Sequence, residues 1–113
     1  TREALTPDNL EELRRLPRGP LACNGCAGVQ FVHGSPLDED EYLLAPCDAL
    51  HSIYSIQVPL TFFGHTHIQG GFAVEDEKGI VLRPQFDSDD ALEDIELSLR
   101  RDARYLINPG SVG

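Results

Sequence analysis

Leu60-Thr61-Phe62-Phe63-Gly64-His65-Thr66-His67 is an apolar run that enters a glycine and then delivers two histidines one residue apart. The run reads as a short strand, with Gly64 as the turn at its C-terminal end. In open α/β sheets that end of a strand is where ligand sites are usually kept. Imidazole is the commonest protein ligand for divalent transition metals, so the placement points to metal binding by His65 and His67. The spacing alone has a second reading, because residues i and i+2 of a strand share a face and two surface or half-buried histidines satisfy it equally well.

Two further segments repeat the pattern. Val29-Gln30-Phe31-Val32-His33-Gly34-Ser35-Pro36 is another β-like run that ends in a histidine, a glycine and a turn. Tyr105-Leu106-Ile107 is a third, entering the loop Asn108-Pro109-Gly110-Ser111-Val112-Gly113. Strands that each end in a polar residue and a Gly-rich loop let a sheet gather a site from distant parts of the chain.

In order and approximate spacing, these three motifs resemble the calcineurin-like metallophosphoesterases, most closely their short bacterial and archaeal phosphodiesterase branch. The likeness runs from about Leu5 to the last residue, because the helix-like stretch from Thr6 to Leu16 and the dipeptide Leu16-Pro17 match as well. The resemblance implies an α/β fold, a mixed β-sheet sandwich flanked by helices. It also implies hydrolysis of phosphoesters, diesters or monoesters, at a dinuclear metal site with a bridging hydroxide. By the family pattern His33 and His65 bind one ion and His67 helps to bind the other. The cofactors would be two divalent ions drawn from Mn, Fe, Zn and Ni. Asn108 and Ser111 would sit near the site, holding the sheet end through side-chain to backbone bonds or touching substrate directly.

Three motifs of the family do not occur in this sequence: an Asp-x-His, a Gly-Asp carrying the bridging carboxylate, and a Gly-Asn-His carrying a ligand and the proton donor. The resemblance therefore makes residues 1–113 the C-terminal portion of a metallophosphoesterase domain, and no residue here is assigned as general acid. The lack of any Met and the stop directly after a glycine-rich loop are expected of a piece of a longer chain. Two rival readings are a noncatalytic protein-binding scaffold of the same fold and a metal-binding fragment that works only with a complementing chain.

Composition narrows the function classes. With 113 residues and 41% hydrophobic content the chain fits one small domain or part of one. Nine basic against 19 acidic residues give a formal net charge of -10, which disfavours nonspecific nucleic-acid binding. A small phosphoester substrate is compatible with that charge, since bound divalent ions supply positive charge where the phosphoryl group sits. Three cysteines and no signal-like segment favour a reducing, cytoplasmic setting. No run approaches the ~18 apolar residues of a membrane span. Oligomeric state stays open, a homo-oligomer included.

The remaining elements follow from local signals. Thr6-Pro7 opens a helix that carries Leu10, Leu13 and Leu16 on one face and is stopped by Pro17, Gly19 and Pro20. A hairpin follows, Leu21 to Cys23 and Cys26 to His33 about a type I′ turn at Asn24-Gly25; this turn explains the Cys-x-x-Cys spacing of Cys23 and Cys26, with a reversible disulfide across it as the alternative. Ala49, Leu50, Ile53 and Tyr54 show helical spacing for a helix across the sheet, with His51 on its exposed side. Gly71 to Val74 and Ile80 to Leu82 form a hairpin connected by Asp76 to Gly79. Ile95, Leu97 and Leu99 alternate as in a half-buried strand, after an acidic loop from Asp87 to Asp94.

Overall fold

The structure, a computed structural model, describes residues 4–85 and 94–111. Its first element, α1 (Pro7–Arg15), starts as the sequence indicates: Thr6 Oγ1 accepts the Asn9 N–H at 3.3 Å and Pro7 takes the first helical position. No residue of α1 is buried, and Leu13 and Leu16 are 50% and 56% exposed. The apolar stripe of this helix is therefore not part of the core.

Strands β1 (Leu21–Ala22) and β2 (Val29–Phe31) pair antiparallel, so the hairpin forms, but its loop is longer than a two-residue turn. Cys23 N–H donates to Val29 O at 2.9 Å, which sets Cys23 opposite Val29 and not opposite Cys26. Two consecutive turns fill residues 24–28. The second is fixed from outside: Gly28 O accepts the Leu60 N–H at 3.2 Å, and a Cβ on Gly28 would stand 3.0 Å from Pro59 Cγ. A contact with the next strand thus overrides the local Asn-Gly preference.

Helix α2 (Pro46–Ser55) has Pro46 in its first turn, and the Asp48 carboxylate accepts the N–H groups of Ala45 at 3.0 Å and Leu44 at 3.2 Å. These two bonds satisfy donors that precede the first helical turn and hold the Asp48 carboxyl below the usual range. The buried face is Ala49, Ser52, Ile53 and then Ile56 just past the helix, spaced i, i+3, i+4, i+7. Tyr54, expected on that face, is 60% exposed, because the stripe runs through Ser52 instead; His51 is exposed as expected.

The other strands are β3 (Leu60–Phe62), β4 (Gly70–Glu75), β5 (Lys78–Leu82) and β6 (Arg104–Asn108), and the sheet order is β1-β2-β3-β6-β4-β5. The central strands β2, β3 and β6 are parallel, while β4 runs antiparallel to both β6 and β5. The mixed sheet and α/β class agree with expectation; the described residues form one sheet, and α2 lies on one of its faces. On that face Ala49, Ile53 and Ile56 pack with Leu43, Phe63, Phe72 and Leu106. On the other, Ala73, Ala103 and Tyr105 pack with Leu60, Leu82 and Ile107.

Two more sequence readings are corrected. The β4–β5 connection is only Asp76-Glu77, both at positive φ (48° and 63°) as in a type I′ turn, with Lys78 and Gly79 already paired to Glu75 and Val74. Ile95, Leu97 and Leu99 are 41%, 48% and 41% exposed and belong to no strand among the described residues. Alternation marks an apolar face but supplies no ladder partner, and this segment has none in the sheet; the acidic loop from Asp87 to Asp94 lies, but for Asp94 itself, outside the described residues. The chain is instead led into β6 by Arg100, whose guanidinium bonds Asp76 at 2.8 and 3.2 Å and Asp102 at 2.7 and 3.0 Å.

Candidate metal centre

Because β2, β3 and β6 are parallel, their C-terminal ends lie along one edge of the sheet, and the three motifs follow those ends. Backbone bonds carry the alignment past the strands: Val32 N–H to Phe62 O, Gly64 N–H to His33 O and Phe63 N–H to Ile107 O, each 2.9 Å. The result is contact between residues 32 positions apart, with His33 Nε2 and His65 Nδ1 separated by 2.9 Å. The two rings meet edge to face, centroids 4.7 Å apart at 65°. At that distance one nitrogen donates to the other.

His65 holds its place by an unusual backbone. It adopts φ 62° and His67 φ 58°, the left-handed region that side chains other than glycine's enter at a cost of about 1–2 kcal/mol. Local strain of this kind persists where surrounding structure enforces it, and it concentrates at functional sites. Here the enforcement comes from Asn108, which is 1% exposed. Its Nδ2 donates to Gly64 O at 3.1 Å and Thr66 Oγ1 at 2.9 Å, and its Oδ1 accepts the Gly110 N–H at 2.9 Å. All its polar atoms are thereby engaged in joining the β3 loop to the β6 loop.

The other anticipated residues are placed differently. His67 is exposed, and among the described residues no three His, Cys, Asp or Glu side chains converge as a metal-holding group. Ser111 is exposed at the end of the described residues. Thr66 Oγ1 accepts from Asn108, the local hydrogen bonding expected of it. Cys23 and Cys26 are free thiols, and a hydrogen bond with Cys26, reinforced by burial, pushes the Cys23 thiol above its ordinary value, away from the reactive thiolate.

One atom is compatible with a bound cation. His65 Nε2 is shielded from solvent and has no hydrogen-bond partner. A buried ring nitrogen without a partner costs free energy unless something accepts its lone pair or its proton, and a metal ion bound there accounts for it. His33 Nε2 lies on the other side of the ring, engaged with His65 Nδ1, so the two imidazoles meet at one spot and would share an ion only if that bond opened. The sequence analysis grouped His33 with His65, and the structure brings their rings into contact, whereas Tyr42, whose ring lies 3.9 Å from that of His65, carried no signal of its own.

No protein-family profile matches the sequence, and no curated protein does. Among solved structures the chain is similar to the crystal structure of a metallophosphoesterase from Sphaerobacter thermophilus, with 27% sequence identity and a TM-score of 0.69. The match covers 100% of this chain and 42% of that one, so the chain spans less than half the length of its structural relative. In fold and along its whole length the chain is thus similar to part of a metallophosphoesterase, consistent with the C-terminal part of the calcineurin-like fold.

Proposed function

We propose that the chain is the histidine-bearing part of a metal-dependent phosphoester hydrolase, with His33 and His65 as ligands of one divalent ion and His67 as a ligand of a second. The observation that carries this reading is the meeting of the His33 and His65 rings beside an unpartnered His65 Nε2; an ion held by both would take the place of the His33–His65 hydrogen bond. Divalent ions in such a site lower the pKa of a nucleophilic water and polarise the phosphoryl oxygens. The chain's own residues fix the geometry. Parallel β2 and β3 bring the two histidines together, and Asn108 locks the loop that carries His65 and His67. Gly34 and Gly64 leave room for close backbone approach beside them. The Asp-x-His, Gly-Asp and Gly-Asn-His motifs would come from sequence outside these 113 residues, and the proton donor with them. We place the enzyme in the cytoplasm; no described helix is long and apolar enough to cross a membrane.

The test is hydrolysis of an aryl phosphodiester with Mn²⁺, by the 113-residue chain alone and after mixing with a polypeptide that supplies the three missing motifs. Turnover should require the mixture and Mn²⁺, and it should vanish in His33→Ala and His65→Ala. A mixture that assembles but never hydrolyses the ester in any divalent metal overturns the enzymatic reading in favour of a scaffold.

A further inference from the structure

Tyr42 is absent from the ligand set, yet it is built into the site. The segment that starts at His33 folds back on itself: Ser35 Oγ accepts the N–H groups of Leu37 at 3.1 Å and Asp38 at 3.0 Å, and Ser35 N–H donates to Asp38 O at 2.8 Å. Gly34 lies so close under the return that a Cβ there would stand 2.5 Å from Glu39 O and 2.8 Å from Asp38 O. At the far end Leu43, 3% exposed, is anchored in the core beneath α2. Both ends of the loop are therefore fixed, and the residue before the anchor is Tyr42. Its ring stands over the His65 imidazole with centroids 3.9 Å apart and planes at 38°.

We infer that Tyr42 is a positioning residue for His65: the loop from His33 to Tyr42 grips the His65 imidazole between the His33 nitrogen and the Tyr42 ring, and so fixes which nitrogen is free. His65 sits in the left-handed backbone region, and two ring contacts hold its side chain. The His33 nitrogen at 2.9 Å engages Nδ1, and the tyrosine face restricts rotation, leaving Nε2 without a partner. The phenol group has no part in this, because the contact is ring to ring. Tyr42 is 55% exposed, so its replacement removes little buried area and the fold survives.

The test reads the imidazole directly, at about pH 8, where an ordinary histidine is neutral. Two-bond nitrogen–proton NMR spectra report the tautomer of each histidine, with exposed His51 as an internal standard. In the wild-type chain and in Tyr42→Phe, His65 should show one dominant tautomer. In Tyr42→Ala and Tyr42→Leu it should move to the averaged pattern of His51 while the amide spectrum of the sheet is unchanged. A wild-type pattern at His65 in Tyr42→Leu overturns the inference, as does loss of the pattern in Tyr42→Phe. A second readout, Zn²⁺ affinity by calorimetry, rests on the metal reading, and Tyr42→Ala should weaken it by about 10-fold, the lower end for residues that orient ligands. If the tautomer changes as expected while no variant, wild type included, binds Zn²⁺, then positioning stands and the metal reading fails.

Discussion

Asn108 offers the sharpest test of how the site is held. It is 1% exposed and makes three hydrogen bonds, two from Nδ2 to the Gly64–Thr66 loop and one at Oδ1 from Gly110. Net contributions of about 0.5–1.5 kcal/mol per bond give about 1.5–4.5 kcal/mol for the set, and Asn108→Ala also strands Gly64 O and the Gly110 N–H away from partners. We expect Asn108→Ala to lower stability by about 2–4 kcal/mol, a large part of what a domain of this size has. Asn108→Asp separates the contacts: its carboxylate keeps the bond from Gly110 N–H and can accept from the Thr66 hydroxyl, but it turns an oxygen toward Gly64 O. Its cost should be about 1–3 kcal/mol. The assay is urea denaturation followed by circular dichroism, with the slope unchanged so that midpoints report stability. Amide shifts should change chiefly at residues 64–67 and 109–111. If both variants fall within about 0.5 kcal/mol of wild type, the Asn108 bonds do not hold the histidine loop and the reasoning fails.

Other consequences follow from single observations. Gly34→Ala places a methyl 2.5 Å from Glu39 O, a backbone atom that cannot turn aside, and should cost about 1–3 kcal/mol while disordering Tyr42; urea midpoints and the His65 tautomer check it. Glu77 occupies the second left-handed position of the β4–β5 turn, so Glu77→Gly, which makes Asp-Gly there, should raise stability by about 0.5–1 kcal/mol in the same assay. The Asp48 carboxyl is held below its ordinary value by the Ala45 and Leu44 N–H groups, so its contribution is present above about pH 3.9 and is lost as pH falls through the lower folded value. The melting temperature of Asp48→Ala should therefore sit below wild type at neutral pH, with a gap that narrows only below about pH 4; a gap independent of pH would contradict that account.

How far the sequence could be read depended on whether the deciding interaction was local. α1 and its Thr6 cap, α2, the β4–β5 hairpin and the strands before His33, His65 and Asn108 rest on periodicity and turn chemistry, and each is present. Where a distant contact decides, local reading failed. The Asn24-Gly25 turn is present but does not close a two-residue hairpin, because a second turn follows with Gly28 tied to Pro59 and Leu60, and Tyr54 turned outward because α2 buries Ser52. Ile95, Leu97 and Leu99 alternate without a strand to pair with. At the site, the approach of His33 and His65 was foreshadowed by the repeated strand, histidine and glycine pattern. The left-handed backbone at His65 and His67 and the ring of Tyr42 had no local signature, since both depend on loops that meet only in the folded sheet.

The claim that His33 and His65 share a cation is most directly tested by adding Mn²⁺ to the 113-residue chain and following histidine NMR signals as the paramagnetic ion broadens them. His33 and His65 should broaden together at the lowest Mn²⁺, well before His51, and His33→Ala should protect His65. Signals of His33 and His65 that broaden no sooner than His51, or that do not broaden at all, would contradict it.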